Sequence, residues 1–247
     1  MAVAYDNSSF TTFSATGTSH TFSHTNSGST IVVFTYNNSD SFPISGVTYG
    51  GQALAQLSAV VTGLSVTWIK AWYLNNPPAG ANDVVVSFTS DSSVRRMFGA
   101  VSFTGGLVEF DTSEASTYSE TTSKSVTVTT EHDNCLIIDC CVGQRAGSAP
   151  VLVADASQTE VGAGVGFAPS DHYRMELSTK ALASAGTVNM DWTATTQYMG
   201  LIAVSIMPAI INDTITVTEN TSGRVFFPAT LGVDPTLPHI GPKVWGT

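Results

Sequence analysis

The chain is written in short, β-branched apolar runs bounded by turn residues, and this limits it to strands. Ile31 to Tyr36 (IVVFTY), Val84 to Phe88 (VVVSF) and Met97 to Phe103 (MFGAVSF) are such runs in the first half. Ser125 to Thr129 (SVTVT), Leu136 to Val142 (LIIDCCV) and Met199 to Ile206 (MGLIAVSI) follow in the second. Their length and residue types are those of β-strands, and no convincing helical period appears. Gly50-Gly51 between VTY and QAL reads as a two-residue hairpin loop that takes positive φ angles. Val66 to Leu74 continues as a strand until Asn75-Asn76-Pro77-Pro78 stops it, because neither proline can donate to a ladder. Closely spaced strands with turn signals between them predict an all-β protein, an antiparallel β-sandwich of jelly-roll-like type.

Composition agrees. Charged residues are 11% of the 247, against roughly 25% in an ordinary soluble domain. Uncharged hydroxyls take their place, with 29 Ser and 33 Thr. The formal charge is −10, and no stretch is more basic than the pair Arg95-Arg96, so no nucleic-acid partner is expected. No window approaches 18 consecutive apolar residues and the first residues carry no signal-peptide pattern, so neither a membrane span nor a secreted route is expected. Cys135, Cys140 and Cys141 fall in one apolar segment and read as small core hydrophobes rather than a disulfide framework.

The two halves echo each other. Ile31 to Tyr36 falls on Leu136 to Cys141, Val84 to Phe88 on Val188 to Trp192, and Phe98 to Phe103 on Leu201 to Ile206, at offsets of 105, 104 and 103. Two architectures fit: tandem sandwiches, or one pseudo-symmetric sandwich in which each half supplies part of both sheets. The second is preferred, since the junction near Gly105 to Ser125 carries no Pro-rich linker. The expected organisation is a sandwich over 1–208, with candidate pseudo-repeats at about 8–108 and 109–208, followed by an extended, Pro-rich C-terminal arm over 209–247. Within that arm Phe226, Phe227 and Trp245 are candidate partner-binding anchors, because large apolar side chains there have no local core to enter.

The succession VTYGGQAL (47–54), WYLNNPPAG (72–80), VVVSF (84–88) and GAVSFTG (99–105) resembles a β-sandwich module of bacterial surface proteins and phage structural proteins. Residues 125–128, 136–138 and 203–206 match the order of its later strands, so the resemblance covers about 25–208. It implies a fold and brings no catalytic residues, and a fold alone does not give a function.

Candidate chemistry is sparse. His20 and His24 lie about 13 Å apart if extended, too far to ligate one metal. His132, three residues before Cys135, is a weak metal candidate, and His172 and His239 stand alone. A glycosidase needs two facing carboxylates, for which Glu109, Asp139, Glu176 and Asp191 are the candidates. Alternation puts Asp139 with Cys135, Ile137 and Cys141, on what is expected to be a solvated or interfacial face. Gly162, Gly164 and Gly166 read as a flexible loop rather than a phosphate cradle. Asp40, Asp83 and Asp91 lack the spacing of a calcium loop. Trp68, Trp72, Trp192 and Trp245 are rings of the kind that build sugar-stacking platforms, but Trp68 and Trp72 share a strand face and are expected as a core-lining pair.

The expected function is a non-enzymatic virion structural protein on a phage particle surface: a capsid decoration, head-fibre or tail-associated protein, made in the host cytoplasm. No cofactor or metal is expected. The expected partners are its own copies in a homo-oligomer and other virion proteins such as the major capsid or tail protein. The alternative is a carbohydrate-binding or adhesive surface module, with a host-surface glycan as partner.

Overall fold

The computed structural model describes residues 2–13, 16–37, 43–63, 67–91, 96–108, 113–165 and 171–209. The first half contains β1 (Ala4–Phe13), β2 (Ser19–Asn26), β3 (Thr30–Asn37), β4 (Ile44–Tyr49), β5 (Gln52–Ala53), β6 (Ala55–Gly63), β7 (Thr67–Asn75), β8 (Gly80–Phe88), β9 (Arg96–Thr104) and β10 (Gly106–Leu107). The second contains β11 (Ser113–Ala115), β12 (Ser119–Thr130), β13 (Cys135–Ala146), β14 (Leu152–Ala154), β15 (Thr159–Val165), β16 (Asp171–Leu182) and β17 (Gly186–Pro208). Every described residue of the runs singled out above lies in a strand, Val66 being outside the described residues, and Gly50 (φ 55°) and Gly51 (φ 79°) make the hairpin between β4 and β5.

In the first half, β1-β9-β3-β7-β6 form one sheet and β2-β8-β4-β5 a second. The chain passes between these facing sheets at β1 to β2, β2 to β3, β3 to β4, β5 to β6, β7 to β8 and β8 to β9, the winding of a jelly roll. The second half repeats it. Its inner layer runs β11, the C-terminal part of β17, β13, β16 and β15, and its outer layer runs β12, the N-terminal part of β17 and β14. Here the counterparts of β8 and β9 are merged in the single strand β17. That strand turns from outer to inner layer opposite a register shift between Thr121 and Ser123 of β12.

The described body up to Ala209 therefore has four sheet layers, with a core in each gap. Between the two sheets of the first half, Ile31, Val33, Phe98 and Trp72 meet Val47, Tyr49, Val84 and Val86. In the second half, Ile137, Cys141 and Leu201 meet Val126, Val128, Met190 and Trp192. The central core lies between the two inner sheets, where Val32, Phe34, Ile69 and Val101 face Ile138, Val142, Leu177 and Ile202. Each such fully buried side chain stabilises the fold by roughly 1.5–3 kcal/mol. The inner strands β3 and β13 are buried on both faces, which explains their nearly unbroken apolar runs. The outer strands alternate, as in β12, where Val126 and Val128 point in and Ser125, Thr127 and Thr129 point out.

The strand pairing corrects the preferred architecture. Each half builds its own two sheets, and the two-residue β10, paired with β17, is the described ladder that joins one half to the other. The halves associate by covering apolar faces rather than by sharing edges, so no linker is required. Edge β1 lies beside β15 and edge β6 beside β11, the arrangement of a pseudo-twofold axis through the central core.

Gly162 and Gly164 also depart from expectation, since they sit in strand β15 rather than in a flexible loop. The Phe10 ring of β1 lies on their backbone: a Cβ at Gly162 would come within 2.3 Å of Phe10 Cε2. Gly166 lies outside the described residues. Gly162→Ala is expected to destabilise the protein by about 1–3 kcal/mol through overpacking. Gly46→Ala, whose Cβ meets nothing within 4 Å, should stay within about 0.5 kcal/mol; urea unfolding of the two variants checks this.

Candidate functional site

The densest polar constellation among the described residues surrounds Asp139 on β13. Strand alternation does put it with Ile137 and Cys141, but that face is covered by the outer layer of the second half, and Asp139 is 0% exposed. This corrects the expectation of a solvated or interfacial face, since the residue is sealed between two layers of its own half. Its carboxylate accepts four hydrogen bonds. Ser178 donates to Oδ1 from its backbone N (3.0 Å) and Oγ (2.7 Å). Trp192 Nε1 (2.7 Å) and Gln158 Nε2 (3.3 Å) donate to Oδ2. Gln158 Nε2 also donates to Ser178 Oγ (2.7 Å), and its Oε1 accepts from the Asp191 backbone N–H at 2.6 Å. One carboxylate thus ties β13, β16, β17 and the turn before β15 together. Burial pushes its pKa up to about 7, against the opposing pull of the Trp192 and Ser178 hydrogen bonds.

Of the four candidate acids, Asp191 reaches this network through its backbone, and Glu176 lies on β16 two residues from Ser178, on the same face. Glu176 is 2% exposed and paired with Arg174 Nε, and burial pushes it up to about 7 despite that partner. Glu109 lies outside the described residues. Two carboxyls with raised pKa values therefore occur in one region, as acid–base chemistry requires. Both are enclosed, and Asp139 already fills its acceptor positions from within the protein, so the arrangement works as a fastener.

A second network links β1, β2 and β9. Ser102 Oγ donates to Asp6 Oδ2 (2.6 Å) and lies 3.1 Å from His24 Nε2, while His24 Nδ1 lies 3.0 Å from Ser9 Oγ. Because the Ser102 proton goes to Asp6, its oxygen is left to accept from Nε2, and Nδ1 then accepts from Ser9. The three residue types are those of a nucleophilic triad in a different order. In a triad the histidine stands between serine and carboxylate and takes the serine proton; here Nε2 already carries its own. Burial holds His24 down at about 4, against the opposing charge of Asp6. Burial opposes ionisation of Asp6, but hydrogen bonds from Ser102 and Ser27 outweigh it and hold its pKa below the ordinary value.

A third feature is Arg96 at the start of β9, 0% exposed. Its guanidinium carbon lies 3.5 Å from the Phe88 ring centroid and 5.9 Å from that of Phe13, and Nε donates to Asn37 Oδ1 (3.4 Å). Cation–π contact takes the place of an ion pair there. Sequence reasoning missed both Arg96 and the Asp6–Ser102–His24 group, since their partners come from strands far apart in the chain and leave no local spacing signal.

The remaining candidates are dispersed. The three cysteines are free and buried, and Cys135 Sγ meets the backbone carbonyl of His132 rather than its ring. Trp72 is in the core, as expected, and Trp192 is buried as well, whereas the side chain of Trp68 lies outside the described residues. Asp83 is on β8, and Asp91 accepts from the Gly17 N–H. Among the described residues no three His, Cys, Asp or Glu side chains group to hold a metal. Asp40, His239, Phe226, Phe227 and Trp245 lie outside the described residues. Comparison with protein-family models, curated proteins and solved structures gave no match.

The Asp139 site predicts a pH dependence. In the unfolded chain its pKa is near 3.8 and in the fold about 7, so between these values the folded state holds the proton more tightly. Its contribution to stability is therefore complete below about pH 4, falls as pH rises to about 7 and is flat above. Asp139→Asn removes this slope, which is at most about 1.4 kcal/mol per pH unit. The opposite slope from His24 titrates in both proteins and cancels in the difference. Urea unfolding of both proteins between pH 4 and 8 measures it.

Proposed function

We propose that the chain is a non-enzymatic structural protein of a particle surface, of the phage-virion kind its sequence resembles, and that it assembles through its sandwich faces and residues 210–247. The observation that carries this reading is the tandem jelly roll fused face to face, an architecture used by capsid proteins and fitted to work as a rigid block. Its titratable clusters support the reading because they brace strands inside the block.

The outer faces support it too. β2 points Ser19, Thr21, Ser23 and Thr25 outward, and β12 does the same with Ser123, Ser125, Thr127 and Thr129. Interface cores are depleted of charged residues, so hydroxyl faces are cheap to cover with a neighbouring protein. The net charge of −10 disfavours adhesion to nucleic acid packaged within a particle. On this reading copies of the chain and a shell or tail protein are the partners, and many weak contacts add up on a symmetric particle. Phe226, Phe227 and Trp245 are the proposed anchors.

The described body closes where the Ala209 N–H donates to the Gly105 carbonyl (2.9 Å), beside the β10–β17 pair. A truncation to 1–209 keeps all the strands given above and loses the proposed anchors. Light scattering on both proteins is expected to show a defined oligomer for the full chain and a monomer for the truncation. Monomers in both cases would overturn assembly through 210–247. Near-UV circular dichroism of the buried Trp192 verifies that the truncation is folded.

A further inference from the structure

A recess of about 410 Å³ opens at the junction of the two jelly rolls. Its floor is the inner face of the second half, with Leu136 on β13, Thr179 on β16 and Thr159 on β15. Tyr5 of β1 lines it from the first half, and Ser157, in the turn before β15, also borders it.

We infer that this recess binds a neutral saccharide, one sugar ring stacked on Tyr5. Among the described Phe, Tyr and Trp side chains Tyr5 is the one that neither lies in a core nor packs against one, and it is 40% exposed, while Trp72, Trp192, Phe34 and Phe98 are buried. The ring is held in place: its hydroxyl donates to Ser8 Oγ (3.1 Å), and Ser8 Oγ donates to the Val161 carbonyl of β15 (2.7 Å). A fixed aromatic face beside hydroxyls matches the alternation of C–H face and hydroxyl rim on a pyranose.

The polar lining is suited to hydroxyl ligands. Ser157 Oγ donates to Asp155 (2.5 Å) and Thr179 Oγ1 to the Thr159 carbonyl (3.4 Å), so both oxygens keep lone pairs for sugar O–H donors. No carboxylate is among the lining residues, in a protein of net charge −10, which disfavours a cation or a basic peptide. The volume is within the ordinary range of small-ligand sites. The recess is not a by-product of the repeat either. At the dyad-related junction of β6 with β11, the chain bonds across, with the Tyr118 N–H donating to the Thr62 carbonyl (2.9 Å).

The inference is independent of the assembly role and is tested separately. Saturation-transfer NMR on the full chain uses glucose, galactose, N-acetylglucosamine, maltose and lactose at millimolar concentration. Transfer to ring C–H protons of at least one sugar is expected for the wild type and for Tyr5→Phe. Tyr5→Ala should bind that sugar roughly five- to tenfold more weakly. No transfer to any of the five, or unchanged binding by folded Tyr5→Ala, overturns the proposal. Should Tyr5→Ala not fold, Thr159→Val and Ser157→Ala decide: weakened binding supports the recess, and unchanged binding removes it.

Discussion

Two apolar sheet faces, one from each half, cover one another in the central core, and the rest of the architecture follows from that contact. A sheet with one apolar face needs a single partner layer; the inner sheets here carry apolar side chains on both faces and need two. Each therefore receives its own outer sheet by jelly-roll winding on one side and the other half on the second. Such an interface can be extensive with little backbone pairing between the halves, and the edge contacts β1 with β15 and β6 with β11 are its rims. Phe10, lying across the glycines of β15, shows how close the approach is at one rim.

Polar groups inside so deep a stack must find partners within it, since water is excluded. The protein solves this locally in each half. Asp139 gathers donors from Ser178, Trp192 and Gln158, while His24 and Asp6 share Ser102. Both networks join strands that are remote in sequence, and both displace pKa values by burial. Perturbed titration often marks a catalytic site, but Asp139 and His24 are buried and spend their hydrogen-bonding positions on partners within the protein, which is the mark of bracing.

Much of the fold was legible in the runs themselves. IVVFTY and LIIDCCV read as strands because β-branched runs of that length suit nothing else, and their unbroken apolar character reflects burial on both faces. SVTVT alternates because one of its faces meets water. The hairpin at Gly50-Gly51 and the stop at Asn75-Asn76-Pro77-Pro78 were visible because turn chemistry is local. The offsets near 104 residues mark equivalent strands, β3 with β13 and β8 and β9 with the two parts of β17. Less of the site was visible. Asp139 was assigned its correct strand neighbours and the wrong environment, because alternation says which residues share a face and nothing about what covers it.

The sequence by itself determined the strand class, the turns, the repeat and the division between double-faced inner strands and single-faced outer ones. These depend on backbone sterics and on the periodicity of apolar side chains along a few residues. Only the tertiary structure decided that each half closes its own sandwich, that Asp139 and His24 are sealed into networks, and that a recess opens beside Tyr5. Those outcomes depend on which faces meet across sequence separations of dozens to more than a hundred residues, and neither strand propensity nor spacing encodes that choice.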